Sequence, residues 1–221
     1  MKTTYSYPEK CLLANGIKIT AWQQLMSELG AVERTYKKGE FVAREGDAAD
    51  KIGIVVSGKV VISRQRVDGA RVVIENLLPQ ASFGASYVYT GATVLTVNIV
   101  AAEPTRLILI DSESVPDAGR RPSQAHVQLI RNVFRVISLR NLQFKQRIRI
   151  LTQRTIRGKL LTYLNIFAKR VGKTEFDIPY DRQQLADHLC VDRSALSEVI
   201  AKLREERVLE SARSHFKLFG K

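Results

Sequence analysis

Between Asp181 and Arg207 the chain carries two helical stripes of apolar residues separated by a short turn. Leu185, Ala186 and Leu189 share one face of a first helix, and Leu196, Val199, Ile200 and Leu203 repeat at helical spacing in a second. Start signals precede both. Asp181 with Gln184 at the third helical position makes a capping box, and Asp192 caps the second helix after a turn at Cys190 and Val191. Ala186 supplies the small side chain that two steeply crossed helices need at their closest approach. The polar face of the second helix carries Arg193, Ser194, Ser197, Glu198 and Lys202. In a helix-turn-helix these opening turns enter the major groove, so the five are the candidate base-reading residues. The same pattern also suits an amphipathic hairpin whose polar residues are only a solvated face. Two flanking features favour the DNA-reading motif: Val208 to Leu218 reads as strand, polar turn and strand, the hairpin of a winged helix, and Phe176 to Pro179 is a further extended piece.

Upstream, Val127, Ile130, Phe134, Ile137, Asn141, Phe144, Ile148 and Leu151 are separated by steps of 3, 4, 3, 4, 3, 4 and 3, the seam of a parallel two-stranded coiled coil. Asn141, polar at an interior seam position, would fix register and strand number at some cost in stability. Leu129, Val133 and Val136 make a second apolar stripe beside the seam, which suits a helix packed on the N-terminal domain. Pro122 stands where such a helix can begin, after a turn-like 117–121.

The N-terminal half reads as β. Short apolar or alternating runs (Glu40–Ala43, Lys51–Val56, Lys59–Arg66, Arg71–Leu77, Val94–Val100, Thr105–Ile110) are punctuated by Gly39, Gly46, Gly58, Gly69 and Gly84. Asp68-Gly69 between two such runs is a hairpin signal. Regular short strands with glycine turns predict a sandwich or jelly roll, whose interior is a candidate ligand cavity. The fold class is therefore α+β: a β-roll over 1–118, a dimerisation helix over 119–151, and a winged helix-turn-helix over 152–221.

Composition sharpens this picture. The chain has 221 residues, 45% of them hydrophobic, and a formal charge of +13. Residues 1–118 hold 13 basic and 13 acidic side chains, so the whole excess lies beyond them, and 119–174 contain no acid at all. Such a stretch attracts phosphate, with affinity that falls steeply as salt rises, although an acidic partner would also satisfy it. From Glu175 onward the charge is close to balanced, so the flanking helices supply the basic field. No apolar run is long enough to span a membrane and no export signal opens the chain, which predicts a cytoplasmic protein without a membrane partner. Cys11 and Cys190 make no metal-ligand cluster, and no metal site is expected. There is also no phosphate-binding loop and no recognisable acid-base constellation, so no enzyme activity is expected.

The order of parts and the strings KKGEFVAREGD, SGKVVI, FGAS and QLADHLCVDRSALS resemble the Crp/Fnr superfamily of bacterial transcription regulators, relatives of the cyclic AMP receptor protein, over about Trp22 to Phe219. The resemblance implies a homodimer with an N-terminal effector-binding β-roll, a long dimerisation helix and a C-terminal winged helix. It also implies double-stranded DNA with a two-fold symmetric site, half-sites about 34 Å apart, with RNA polymerase and a small-molecule effector as further partners. Arg193 matches the family's guanine-reading arginine, a contact worth about 1–3 kcal/mol of discrimination. Glu198 stands where many relatives carry a second arginine, which predicts a different half-site. Arg154, Arg157, Arg182, Arg213 and His215 are candidate phosphate contacts.

The departures bear on the effector. The implied pocket comprises Phe83, Gly84, Ala85, Ser86, Leu95 and Thr96, with Asn141 and Phe144 from the long helix. Relatives that bind cyclic AMP have glutamate after Phe-Gly and, later, arginine followed by serine or threonine. Here Ala85 and Leu95-Thr96 replace both anchors. Losing a charged partner for the phosphate costs about 2–5 kcal/mol, which argues against cyclic AMP and leaves the effector unnamed. The family's iron-sulfur sensors use four cysteines; this chain has two, so no cluster is expected. Haem is disfavoured, because residues 1–118 contain no histidine. Cys190, where glycine is usual, is either a small buried hydrophobe or an oxidation-sensitive site, with Cys11 its conceivable partner. The alternative function is a small-molecule-binding signalling module that acts on a protein partner.

Overall fold

The computed structural model describes residues 4–65, 69, 71–87, 90, 93–116 and 122–219. The chain divides into two compact units, Met1–Leu139 and Arg140–Lys221. The division falls inside the long helix, so each unit owns part of it.

In the first unit, β1 (Val32–Tyr36), β3 (Lys51–Ser57), β6 (Ser82–Phe83) and β8 (Thr105–Asp111) form one antiparallel sheet in the order β1-β8-β3-β6. The second, in the order β2-β7-β4-β5, holds β2 (Phe41–Ala43), β4 (Val60–Gln65), β5 (Arg71–Leu77) and β7 (Asn98–Ala101). Period-two alternation builds the roll's interior: Tyr36, Val55, Phe83 and Leu107 from one sheet meet Val60, Ile62, Leu77, Ile99 and Ala101 from the other. Gly53 is required there, because a Cβ at that position would fall 2.0 Å from the Phe83 ring. The hairpin expected around residues 68–69 joins β4 to β5, which pair out to Gln65 opposite Arg71; Asp68 itself lies outside the described residues. The run expected over Val94–Val100 is strand only from Asn98, while Val94 makes an isolated bridge to Ala48 and Leu95 exchanges backbone hydrogen bonds with the 46–47 turn.

The other face of the first sheet, through Ile52, Ile54, Ile108 and Ile110, is covered by helix α1 (Ile19–Glu28) and helix α2 (Gln124–Leu151). Trp22, Leu25 and Met26 of α1 and Leu129, Val133 and Val136 of α2 are buried in this layer. The second stripe of the long helix thus packs on the N-terminal unit. Two buried polar residues fix it there: Asn132 donates to the carbonyls of Leu13 (2.9 Å) and Asn15 (2.7 Å), and a ring nitrogen of His126 lies 2.8 Å from the Val115 carbonyl.

In the second unit, α3 (Ile156–Val171) is capped by Thr155, whose hydroxyl accepts from the Gly158 N–H, and ends on left-handed Gly172. Then follow β9 (Glu175–Asp177), α4 (Arg182–Leu189), α5 (Arg193–Glu205), β10 (Leu209–Ala212) and β11 (His215–Leu218), with the strands in the order β10-β11-β9. Leu160, Leu164 and Phe167 of α3 join Leu185, Ala186, Leu189, Leu196, Ile200, Leu203 and Phe216 in one core.

Candidate nucleic-acid interface

The helix-turn-helix is set by local chemistry. Asp181 accepts from the Gln184 N–H at 2.8 Å while Gln184 returns a bond to the Asp181 N–H at 3.0 Å, closing the capping box. Helix α4 ends on Cys190 at φ 51, a left-handed conformation usually given to glycine, and the Val191 N–H then bonds the Ala186 carbonyl at 3.1 Å. Lys159 of α3 braces this turn by donating to the Leu189 and Cys190 carbonyls. Asp192 accepts from the N–H groups of Ser194 (2.8 Å) and Ala195 (3.0 Å) and from the Ser194 hydroxyl. That hydroxyl, followed by the two backbone donors, holds the Asp192 carboxyl below its ordinary range.

Arg193, Ser194, Ser197, Glu198 and Lys202 are all exposed, and Leu196, Ile200 and Leu203 are buried. Two of the five have their hydroxyl proton committed: Ser194 donates to Asp192, and Ser197 donates to the Arg193 carbonyl at 2.9 Å. As they stand, both serines can only accept from a base.

Arg193 shares a cavity of about 720 Å³ with Arg182, Arg213, Ser214, Gln183 and residues 178–181. Three arginines therefore line one hollow between the starts of α4 and α5 and the turn of the wing. Arg182 is the innermost. Burial, and then the charge of Arg193, lower its pKa, and its Nη1 is a buried atom without a partner among the described residues. An anion in this hollow would relieve the repulsion between the Arg182 and Arg193 charges. The other candidate phosphate contacts differ. Arg154 is exposed, Arg157 is paired with Glu206 at 2.6 Å, and both His215 ring nitrogens lie 3.2 Å from carboxylates, of Asp177 and Glu175. Arg157 and His215 would have to exchange these partners to reach phosphate.

Along α2 the seam divides. Val127, Ile130, Ile137 and Leu151 are partly buried, whereas Phe134 (56%), Phe144 (61%) and Ile148 (61%) are largely exposed, as is Asn141. Leu142, outside the seam, is also exposed at 55%. An apolar row of this size on a helix marks an interaction surface.

The sensor residues fall in different surroundings. Phe83 and Leu95 are buried inside the roll, Ala85 is buried in the layer beneath the helices, and Ser86 and Thr96 are exposed. Gly84, at φ +82, passes so close to β3 that a Cβ would lie 2.1 Å from the Lys51 carbonyl oxygen. Asn141 and Phe144 belong to the other compact unit. Cys11 is buried and burial pushes its thiol up, while Cys190 is exposed; both are free thiols.

Sequence reasoning passed over a cluster brought together from three elements. Tyr163 of α3 and Tyr180 flank His188 of α4, with ring centroids 5.2 and 4.8 Å from the imidazole. Arg147 of α2 donates to Nδ1 of that ring. Burial first, and the nearby Arg147 charge second, lower the His188 pKa to about 4. The Tyr163 hydroxyl is buried without a partner among the described residues.

Comparison with known proteins agrees with both units. The family model for the cyclic nucleotide-binding domain matches residues 33–120, and that for the Crp-like helix-turn-helix domain matches 158–218. The chain belongs to the Crp/Fnr superfamily of bacterial transcription regulators. Among Crp/Fnr relatives, the global nitrogen regulator of Synechococcus elongatus is 24% identical, over 84% of each chain. The transcriptional activator protein FnrL of Cereibacter sphaeroides is 23% identical, over 80% of this chain and 71% of its own. Among solved structures, CprK in complex with OCPA superposes with a TM-score of 0.64 at 18% identity, covering 89% of this chain and 91% of CprK. The c-di-GMP-responsive regulator CLP of Xanthomonas campestris gives 0.59 at 18% identity, covering 92% and 100%. No helix among the described residues is long and apolar enough to cross a membrane.

Proposed function

We propose that this chain is a homodimeric, sequence-selective DNA-binding regulator of transcription, acting in the cytoplasm without catalysis, whose DNA affinity is set by a signal at residues 1–118. The observation that carries the reading is the start of α5: exposed Arg193, Glu198 and Lys202 beside a hollow lined by Arg182, Arg193 and Arg213. Arg193 and Glu198 read base edges, and Arg182 and Arg213 hold backbone phosphate. The exposed row Phe134, Phe144 and Ile148, with Asn141 within it, pairs with a second copy over 119–151 and sets two 152–221 units on a two-fold site. The effector is not cyclic AMP, because no cation stands at Leu95 or Thr96 and no acid at Ala85. RNA polymerase is the partner through which bound DNA is read. Control by oxidation, where it operates, acts at exposed Cys190 rather than at buried Cys11.

The test is fluorescence anisotropy with labelled duplexes at two salt concentrations. The proposal requires binding that weakens steeply with salt and differs between sequences by at least about a thousandfold once the preferred site is known. Binding indifferent to sequence in the presence of cell-extract metabolites would move the chain to a signalling module that acts on a protein.

A further inference from the structure

We propose that the outer face of the β2-β7-β4-β5 sheet carries a binding site for a small oxyanion, a carboxylate or phosphate with a short apolar body, gripped by Arg71. The site is independent of the DNA-reading surface. It is a cavity of about 320 Å³ lined by Gly39, Phe41, Ser63, Arg64, Gln65, Arg71, Asn98 and Val100.

Strand parity places it outside the roll. Ile62 and Ile99 are paired across β4 and β7 and face the core, as do Val60 and Ala101. Ser63, Asn98 and Val100 alternate with them and face the other way. An outward serine should be wet, yet Ser63 is only 2% exposed. Its hydroxyl accepts from Arg71 Nε at 3.0 Å, which lays the guanidinium across the sheet beside the cavity. The side-chain Oδ1 of Asn98 accepts from the Glu45 N–H at 3.1 Å, so the side-chain NH₂ is the end with donors to offer. Arg64 lies at the edge with its Nε 3.9 Å from the Glu45 carboxylate, which leaves Arg71 as the cation of the site, and Val100 and Phe41 supply the apolar wall.

The backbone is shaped for this. The β4–β5 pairing is bulged between Ile62 and Ser63, and the β2–β7 pairing between Phe41 and Ala43. Bulges re-aim side chains and tighten twist, and both of these border the same hollow. A hydroxyl-oriented arginine beside an amide donor, with no acid among the described residues that line the cavity, selects an oxyanion.

The experiment is a titration of the isotope-labelled full chain, without DNA, with succinate and separately with inorganic phosphate, followed through backbone amide resonances. Saturable shifts of Ser63, Arg71 and Asn98 with a Kd on the order of 1 mM are expected from one of the two anions, and which one responds identifies the head group. Arg71→Gln should weaken that binding about tenfold, Arg71→Lys by less, and the exposed Arg154→Gln not at all. Ser63→Ala, which keeps the charge but removes the acceptor that orients the guanidinium, should weaken binding several-fold. Absence of saturation with both anions up to about 20 mM, or equal affinity in Arg71→Gln with unchanged α5 resonances, overturns the proposal.

Discussion

Arg147 Nη1, on the long helix, donates to His188 Nδ1, in the last turn of the first motif helix, across 3.3 Å. The acceptor must be the neutral imidazole, since an imidazolium has no lone pair to offer. Burial between Tyr163 and Tyr180 acts in the same direction and is the larger cause of the depressed pKa.

A pH dependence follows from this contact. The folded state holds His188 near 4 against an ordinary value of 6.5, so the unfolded chain binds more protons between those values. Stability contributed by this group is therefore complete above about pH 6.5 and is lost as the pH falls toward 4. Urea melts of the full chain should show stability rising over that window, with a shallower rise in His188→Gln. An identical slope in the variant would remove His188 as the cause.

The caps that begin both motif helices give a second expectation. Asp192→Ala leaves the Ser194 and Ala195 N–H groups without their acceptor. It should cost about 1 kcal/mol in chemical denaturation and weaken binding to the preferred duplex, because Arg193 follows directly on the lost cap. Asp192→Asn, which keeps an acceptor, should recover most of the stability.

The arginines of the shared hollow should separate by readout. Arg193→Ala should cost about 1–3 kcal/mol at the preferred site and relax selectivity at one base position. Arg182→Ala should weaken all sequences alike and reduce the salt slope by about 1. Competition binding with single-base-pair variants checks both, and a selectivity change in Arg182→Ala would reverse the roles.

The glycine beneath Phe83 is a structural test of the roll. Gly53→Ala brings a Cβ within 2.0 Å of the ring. It should destabilise the first unit by about 1–3 kcal/mol as Phe83 is forced from its place. A calorimetric transition unchanged in Gly53→Ala would contradict the packing of β6 on β3.

The exposed row on α2 supplies a further expectation. Ile148→Glu should shift sedimentation toward monomer, since two carboxylates would face each other across the seam. Asn141→Ile should tighten self-association while loosening its strand number.

What the sequence made legible follows from range. The capping box, Asp192, the turn at Cys190 and the short apolar or alternating runs of β3, β4, β5 and β8 are written in residues a few positions apart. Helix α3 carried equally local signs, Thr155 at its start and Gly172 after its end, and could have been drawn from them. Helix α1 could not: Lys18 caps it without a side-chain bond, and its burial is tertiary, through Trp22, Leu25 and Met26. Strand β1 is mostly polar and becomes a strand by pairing with β8, which lies far along the chain, Val32 opposite Leu109 and Tyr36 opposite Thr105. The site divides in the same way. The face of α5 was readable, but the meeting of Arg182, Arg193 and Arg213, the bond from Ser63 to Arg71 and the enclosure of His188 each join separate elements.

The central claim is selective reading of DNA by the start of α5. It is tested most directly by selecting bound fragments from a genomic pool with the purified chain and with Arg193→Ala, at two salt concentrations, and sequencing them. The account predicts a dyad-symmetric site with half-sites about 34 Å apart, recovered by the chain, and from Arg193→Ala a weaker enrichment in which one base position of each half-site is relaxed while salt-sensitive binding persists. The same enriched sequence from both proteins, or no enrichment from either with effector-bearing extract present, would contradict it.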